Sequence, residues 1–154
     1  MRRKEQEITD NLEIEAIIQK AAVCRLGLAH NNIPYVVPVF FGYENPSLYI
    51  HCAKEGRKTD LIRQNNQVCF QMDVESKIRN RDKPPCQWSA SYRSVIGYGT
   101  AVFLDDFAGK KQALDIIMRH YSPQVDLDYG KDDIEKVGII KITITSLSGK
   151  RSGG

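Results

Sequence analysis

The sequence predicts an α+β fold: a small barrel of about six antiparallel strands with three flanking helices. Two observations predict it. Six runs keep the two-residue period of strands, and most are joined by short turns. Three further segments keep a helical period, and they punctuate the strands instead of following each one, which argues against a doubly wound parallel sheet.

Asp10 is placed to cap the first helix, with Glu13 reaching back as in a capping box. Ile14, Ile17, Ile18 and Ala21 then form one apolar stripe. Residues 23–29 read as a strand with Cys24, Leu26 and Leu28 on one face, and His30-Asn31-Asn32 as a turn, because Asn tolerates the left-handed conformation. Residues 34–41, PYVVPVFF, are apolar on both faces: Tyr35, Val37, Val39 and Phe41 on one, Val36, Pro38 and Phe40 on the other. A hairpin strand usually keeps one face wet. The second face is therefore either plainly buried or covered by a partner subunit or a flat ligand. Pro38 cannot donate to a ladder, so it marks an edge or a bulge.

The stretch 47–64, SLYIHCAKEGRKTDLIRQ, organises the chain. Leu48, Ile50 and Cys52 alternate with Tyr49, His51 and Ala53 as in a strand. The chain breaks at Lys54-Glu55-Gly56 and restarts as a short helix over 57–65. Free N–H groups and the positive end of a dipole meet there. Arg57 and Lys58 add two charges, an arrangement suited to a phosphate monoester. The same residues also read as a solvated basic helix start.

Residues 68–74 form a fourth strand, and 75–90 read as a long polar loop holding Pro84-Pro85 and Trp88. Residues 91–103 form a fifth strand, whose small face (Val95, Gly97, Gly99, Ala101) permits close approach of another backbone or ring. A helix capped by Asp105 or Asp106 follows, with Phe107, Leu114, Ile117, Met118 and Tyr121 expected on its apolar face and Ser122-Pro123 at its end. Residues 126–136 read as acidic and irregular, 137–147 as the last strand, and 148–154 as a flexible basic tail.

At 154 residues the chain has the size of one domain. A net charge of +3, well dispersed, gives no footprint for nucleic acid. No stretch has the length of a membrane span, and the basic start has no apolar run behind it, so a cytoplasmic protein is expected. The four cysteines form no CxxC pair and the three histidines are scattered, so neither a metal site nor a disulfide is expected.

In order and spacing, the blocks PYVVPVFFGY, LYIHCAKEGRK, YRSVIGYGTA, YSP and ITITSLSGK resemble the flavin-binding split barrels related to pyridoxamine 5'-phosphate oxidase. With the MRRK start, they are most similar to the nitroimidazole-resistance branch. The resemblance implies a six-stranded antiparallel split barrel and a homodimer with two FMN sites between its subunits. It implies that Val37, Pro38, Val39 and Phe40 run along the isoalloxazine ring and offer it backbone groups. His51 and Cys52 would lie beside the ring and ribityl chain, Arg57 and Lys58 would bind the phosphate, and Ser94 would stand near the flavin. His51 also matches the active-site histidine of the resistance proteins. The implied activity is reduction of a small acceptor, nitroaromatics included. A flavin store or sensor without turnover, or a barrel holding haem or deazaflavin, would use the same groove. The oxidase's C-terminal Trp and Arg segments are missing, which argues against vitamin B6 oxidation. Cys52 stands where the resistance proteins more often carry Ser or Gly. Trp88 and Lys150-Arg151 match no family position.

Overall fold

The structure is a computed structural model that describes residues 4–122 and 128–153. The first three residues of the MRRK start, the expected stop at Pro123 and the first part of the acidic 126–136 segment lie outside the described residues.

The sheet has eight antiparallel strands, not six: β1 (Glu7–Ile8), β2 (Cys24–His30), β3 (Ile33–Val39), β4 (Gly42–Glu44), β5 (Ser47–Cys52), β6 (Gln67–Arg79), β7 (Ser89–Leu104) and β8 (Gly138–Ser152). The added β1 and β4 have two and three residues, too short to show a period in the sequence. The order is β3-β2-β6-β7-β8-β5-β4, with β1 on β8. Its two ends, β3 and β4, are separated in the chain by Phe40 and Phe41 alone. The sheet must therefore curl until its ends meet. No ladder joins β3 to β4 among the described residues, so the barrel stays open along that seam.

Inside lie Leu26, Phe41, Leu48, Ile50, Phe70 and Met72, each at most 1% exposed. One end is closed by α1 (Asn11–Lys20), whose Ile14, Ile17 and Ile18 are buried as its stripe predicts. Asp10 caps it by accepting from the Leu12 N–H at 2.9 Å. Glu13 forms no capping box: Arg151 of β8 donates to it at 3.3 Å.

Four sequence expectations are corrected. The acidic segment contains α4 (Lys131–Lys136), whose lone apolar residue, Ile134, is buried but too isolated to show a period. In α3 (Phe107–Tyr121) the buried face is Lys110, Ala113, Ile116 and Ile117, while Phe107, Met118 and Tyr121 are exposed. The stretch expected as a loop over 75–90 is strand at both its ends, 75–79 and 89–90. Its pairing shifts between Val74 and Lys77, where Glu75 takes a φ of 59°, and beyond that bulge both faces are wet. The loop shrinks to 80–88, where the Trp88 indole N–H donates to the Lys83 carbonyl at 2.8 Å. The tail is not free either: β8 runs on to Ser152, with Ser94 opposite Lys150 and Tyr92 opposite Ser152.

The small face of β7 is covered by the chain's own side chains. A Cβ at Gly97 would overlap the Phe70 ring. Changing Gly97 to Ala should therefore cost about 1–3 kcal/mol of stability in urea unfolding, as overpacked cores do. An unshifted midpoint would show that the ring can retreat at no cost.

Candidate functional site

At the end of β5 the strand leaves the core: Ile50 is fully buried, His51 is exposed and Cys52 is half-buried. Burial pushes the Cys52 thiol up, against the opposing pull of the Lys58 and Arg63 charges. Among the described residues no hydrogen bond holds the His51 imidazole.

The chain then turns through Gly56, at φ 128° and ψ 167°, a conformation open only to glycine. This sets the start of α2 (Arg57–Gln64). No side chain caps that start. The Gly56 carbonyl is taken up by the Thr59 hydroxyl at 2.6 Å and the Asp60 N–H at 3.0 Å. The N–H groups of the first turn are left as donors, beside two cations. The Arg57 guanidinium lies 4.8 Å from the centre of the Tyr35 ring, which ties this helix start to β3. The donor set fits a phosphate or a similar oxyanion.

On β3 the alternation divides the expected residues. Val37 and Val39 face the barrel interior, whereas Val36, Pro38 and Phe40 are exposed, Val36 and Phe40 by 66% and 58%. The bare face continues across the sheet. Register places Val36, Gly27, Cys69 and Tyr98 in one row, and Pro38, Arg25, Gln71 and Ile96 in the next. Tyr98 and Ile96 are exposed as well. The pattern is a largely apolar surface, crossed by Arg25 and Gln71, that no described residue covers.

The exit of β3 is clamped from α3. The Phe41 N–H donates to the Tyr121 hydroxyl at 3.0 Å, and that hydroxyl donates to the Ala22 carbonyl at 3.0 Å. Burial pushes the phenol up, which keeps its proton on the oxygen. Phe40 meets the Tyr121 ring edge-on at 5.3 Å. Neither Tyr35 nor Tyr121 stood out in the sequence as a site residue. Only the YSP block pointed to Tyr121, and Tyr35 carried no signal beyond its place in an apolar strand.

Ser94 is the one expected residue that the fold keeps apart. Its cross-strand neighbours are Asp73 and Lys150, and the Lys150 ammonium lies 5.7 Å from the Tyr92 ring centre. The Asp73 carboxyl is held low chiefly by the Gln71 amide. His51 is opposite Ile139, and Ile139 is opposite Leu104. Ser94 and Leu104 are ten residues apart on β7, about 33 Å of strand at 3.3 Å per residue. One chain thus carries two polar groupings at opposite ends of one ladder. Among the described residues no cluster of His, Cys, Asp and Glu could hold a metal, and no helix is long and apolar enough to cross a membrane.

An open antiparallel barrel with an uncapped, basic helix start and a bare apolar face places the chain among the split barrels. This chain belongs to the pyridoxamine 5'-phosphate oxidase family, whose model matches residues 10–151. It is similar to a candidate 5-nitroimidazole antibiotic resistance protein from Bacteroides thetaiotaomicron, with 35% identity over 94% of this chain and 86% of that one, at a TM-score of 0.84. An FAD-binding protein from Mesorhizobium loti shares 25% identity over 94% of this chain and 96% of that one, at a TM-score of 0.69. An FAD- and heme-binding protein from Mycobacterium smegmatis has the same fold, with a TM-score of 0.86 at 16% identity over 97% of this chain and 74% of that one. No curated protein matches the chain.

Proposed function

We propose that this protein is a homodimeric, FMN-binding reductase of small acceptors, nitroaromatics among them. The observation that carries the reading is the uncapped start of α2, where Gly56, Arg57 and Lys58 offer backbone donors and two charges beside His51 and Cys52. A flavin monophosphate has one group for that seat and a flat ring for the open edge of β3, which Arg57 reaches through Tyr35. The kinship with the nitroimidazole resistance protein supports the substrate class. A bound flavin supplies the electron transfer; the chain supplies orientation and electrostatics.

Each part of the chain then has a task. Arg57, Lys58 and the first-turn N–H groups anchor the phosphate. The main chain at Val37, Val39 and Phe40, and the ring of Pro38, line one side of the isoalloxazine. Tyr35 keeps Arg57 aimed at the seat. His51, exposed at the end of β5, faces the acceptor and hands it a proton. A two-fold copy covers the apolar rows of Val36, Tyr98 and Ile96 and brings its own Ser94 grouping to the ring.

Light scattering at micromolar concentration should give twice the chain mass; a monomer would sink the shared site. Changing Arg57 and Lys58 together to Ala should release FMN and leave the fold intact, because neither side chain is in the core. Two charge-assisted contacts of about 1.5–3 kcal/mol each correspond to at least a hundredfold in affinity. Riboflavin is the control: the double variant should bind it and FMN almost equally, and a retained FMN preference would move the phosphate elsewhere. His51→Ala should stay yellow but slow in reoxidation by a nitro compound. Unchanged reoxidation would leave His51 as a pocket wall.

A further inference from the structure

A cavity of about 580 Å³ opens on the other side of α2. The helix separates two environments: Arg57 lies over Tyr35, whereas Arg63 lies over the Phe103 ring at 5.1 Å. Arg63 and Phe103 line the cavity, and His51, Arg57, Lys58 and Tyr35 do not. Cys52 alone is shared with the seat described above. The volume falls within the range of small-molecule sites.

The walls hold three kinds of group. Phe103, Phe107, Leu104 and Ile139 give apolar surface for a planar ring. Lys54, Arg63 and Lys110 bring positive charge. Asp105 and Glu135 offer acceptors for amine or hydroxyl hydrogens. Lys110 is 6% exposed, and its ammonium donates to the carbonyls of Val137 at 2.9 Å and Glu135 at 3.4 Å. These two bonds leave one of its three hydrogens unassigned. No carboxylate pairs with it among the described residues. A simple aromatic acid would use the ring surface and the cations but not the acceptors. An adenylate uses all three: a flat base with an amine, sugar hydroxyls and a phosphate. Lys54 also stands two residues before Gly56, so a pyrophosphate crossing this loop could reach from the cavity to the seat at α2.

We infer that this cavity receives the adenylate half of a dinucleotide, with its phosphate at Lys54 and Arg63 and its base against Phe103 and Phe107. The inference rests on the proposed flavin reading for its biological sense, but not for its test. The dinucleotide is either FAD itself or a reduced nicotinamide dinucleotide that delivers electrons.

ADP, titrated calorimetrically into the purified protein, is the first probe. Lys54→Glu and Phe107→Glu alter exposed side chains outside the proposed flavin seat. Wild type should bind ADP saturably, and each variant should weaken it by about tenfold or more, with FMN affinity unchanged. No saturation by about 1 mM, a free energy near −4 kcal/mol, or equal binding in wild type and variants, would overturn the assignment. Two arms then identify the source. If FAD is the ligand, wild type prefers it to FMN and the variants lose that preference. If the nicotinamide dinucleotide is, KM for NADH or NADPH rises about tenfold in the FMN-loaded variants while kcat holds. ADP binding with neither effect would overturn the dinucleotide assignment. A protein that binds ADP in this cavity yet takes no FMN would keep the cavity and lose the flavin reading.

Discussion

The long ladder between β7 and β8 is the constraint on which the rest of the structure depends. Residues 92–104 pair with residues 139–152, with one shift between Tyr98 and Gly99. One end of the ladder carries β5 and so His51; the other carries Ser94, Lys150 and the β1 strand. A ladder this long cannot stay flat, because strands twist and adjacent strands rotate by about 20–25°. The twist turns an eight-stranded sheet into a barrel whose ends are joined by two residues. Gly97 makes the tight side of that curl passable, since its missing Cβ is where the Phe70 ring sits.

The seam between β3 and β4 gives the site its character. A barrel sealed there would have paired the outer edge of β3, with Pro38 in the way. Left open, the edge keeps its main-chain groups available, and Tyr121 clamps the chain just after it. The clamp joins three elements at one hydroxyl, so the bare face of β3 ends at a fixed point instead of fraying. The helix start at Gly56 reaches β3 through Arg57 and Tyr35, on the face opposite to Val36, Pro38 and Phe40. The basic helix start and β3 are thus held together by one cation–ring contact.

Electrostatics divide the same region. α2 carries cations on two faces, Arg57 toward β3 and Arg63 toward β7, and Cys52 feels burial against the charges of Lys58 and Arg63. Lys110, buried behind the second face, holds the last turn of α4 through its two carbonyls. That contact favours a cation at a helix C-terminus and fixes one wall of the cavity.

The sequence by itself determined what short-range physics controls. Period two marked β2, β3, β5 and the core parts of β6, β7 and β8, because each sends alternate residues into one barrel. Asp10 and the pair Asp105–Asp106 marked helix starts, the fold choosing Asp106 as the second cap, and Gly56 marked the turn that exposes backbone donors. The uncapped, basic start of α2 was therefore readable from residues 47–64. The tertiary structure alone decided whatever depends on partners distant in the chain. β1 and β4 exist because β8 and β5 pair with them, not because two or three residues prefer to be strands. The tail became strand because β7 had an open edge to receive it, a fact no local pattern at 148–152 carries. α3 buried Lys110 rather than Phe107 because the carbonyls of α4 lay within reach of its ammonium. Ser94 and His51 looked like members of one site, and the register of β7, β8 and β5 set them at opposite ends of one ladder, a separation no local pattern carries.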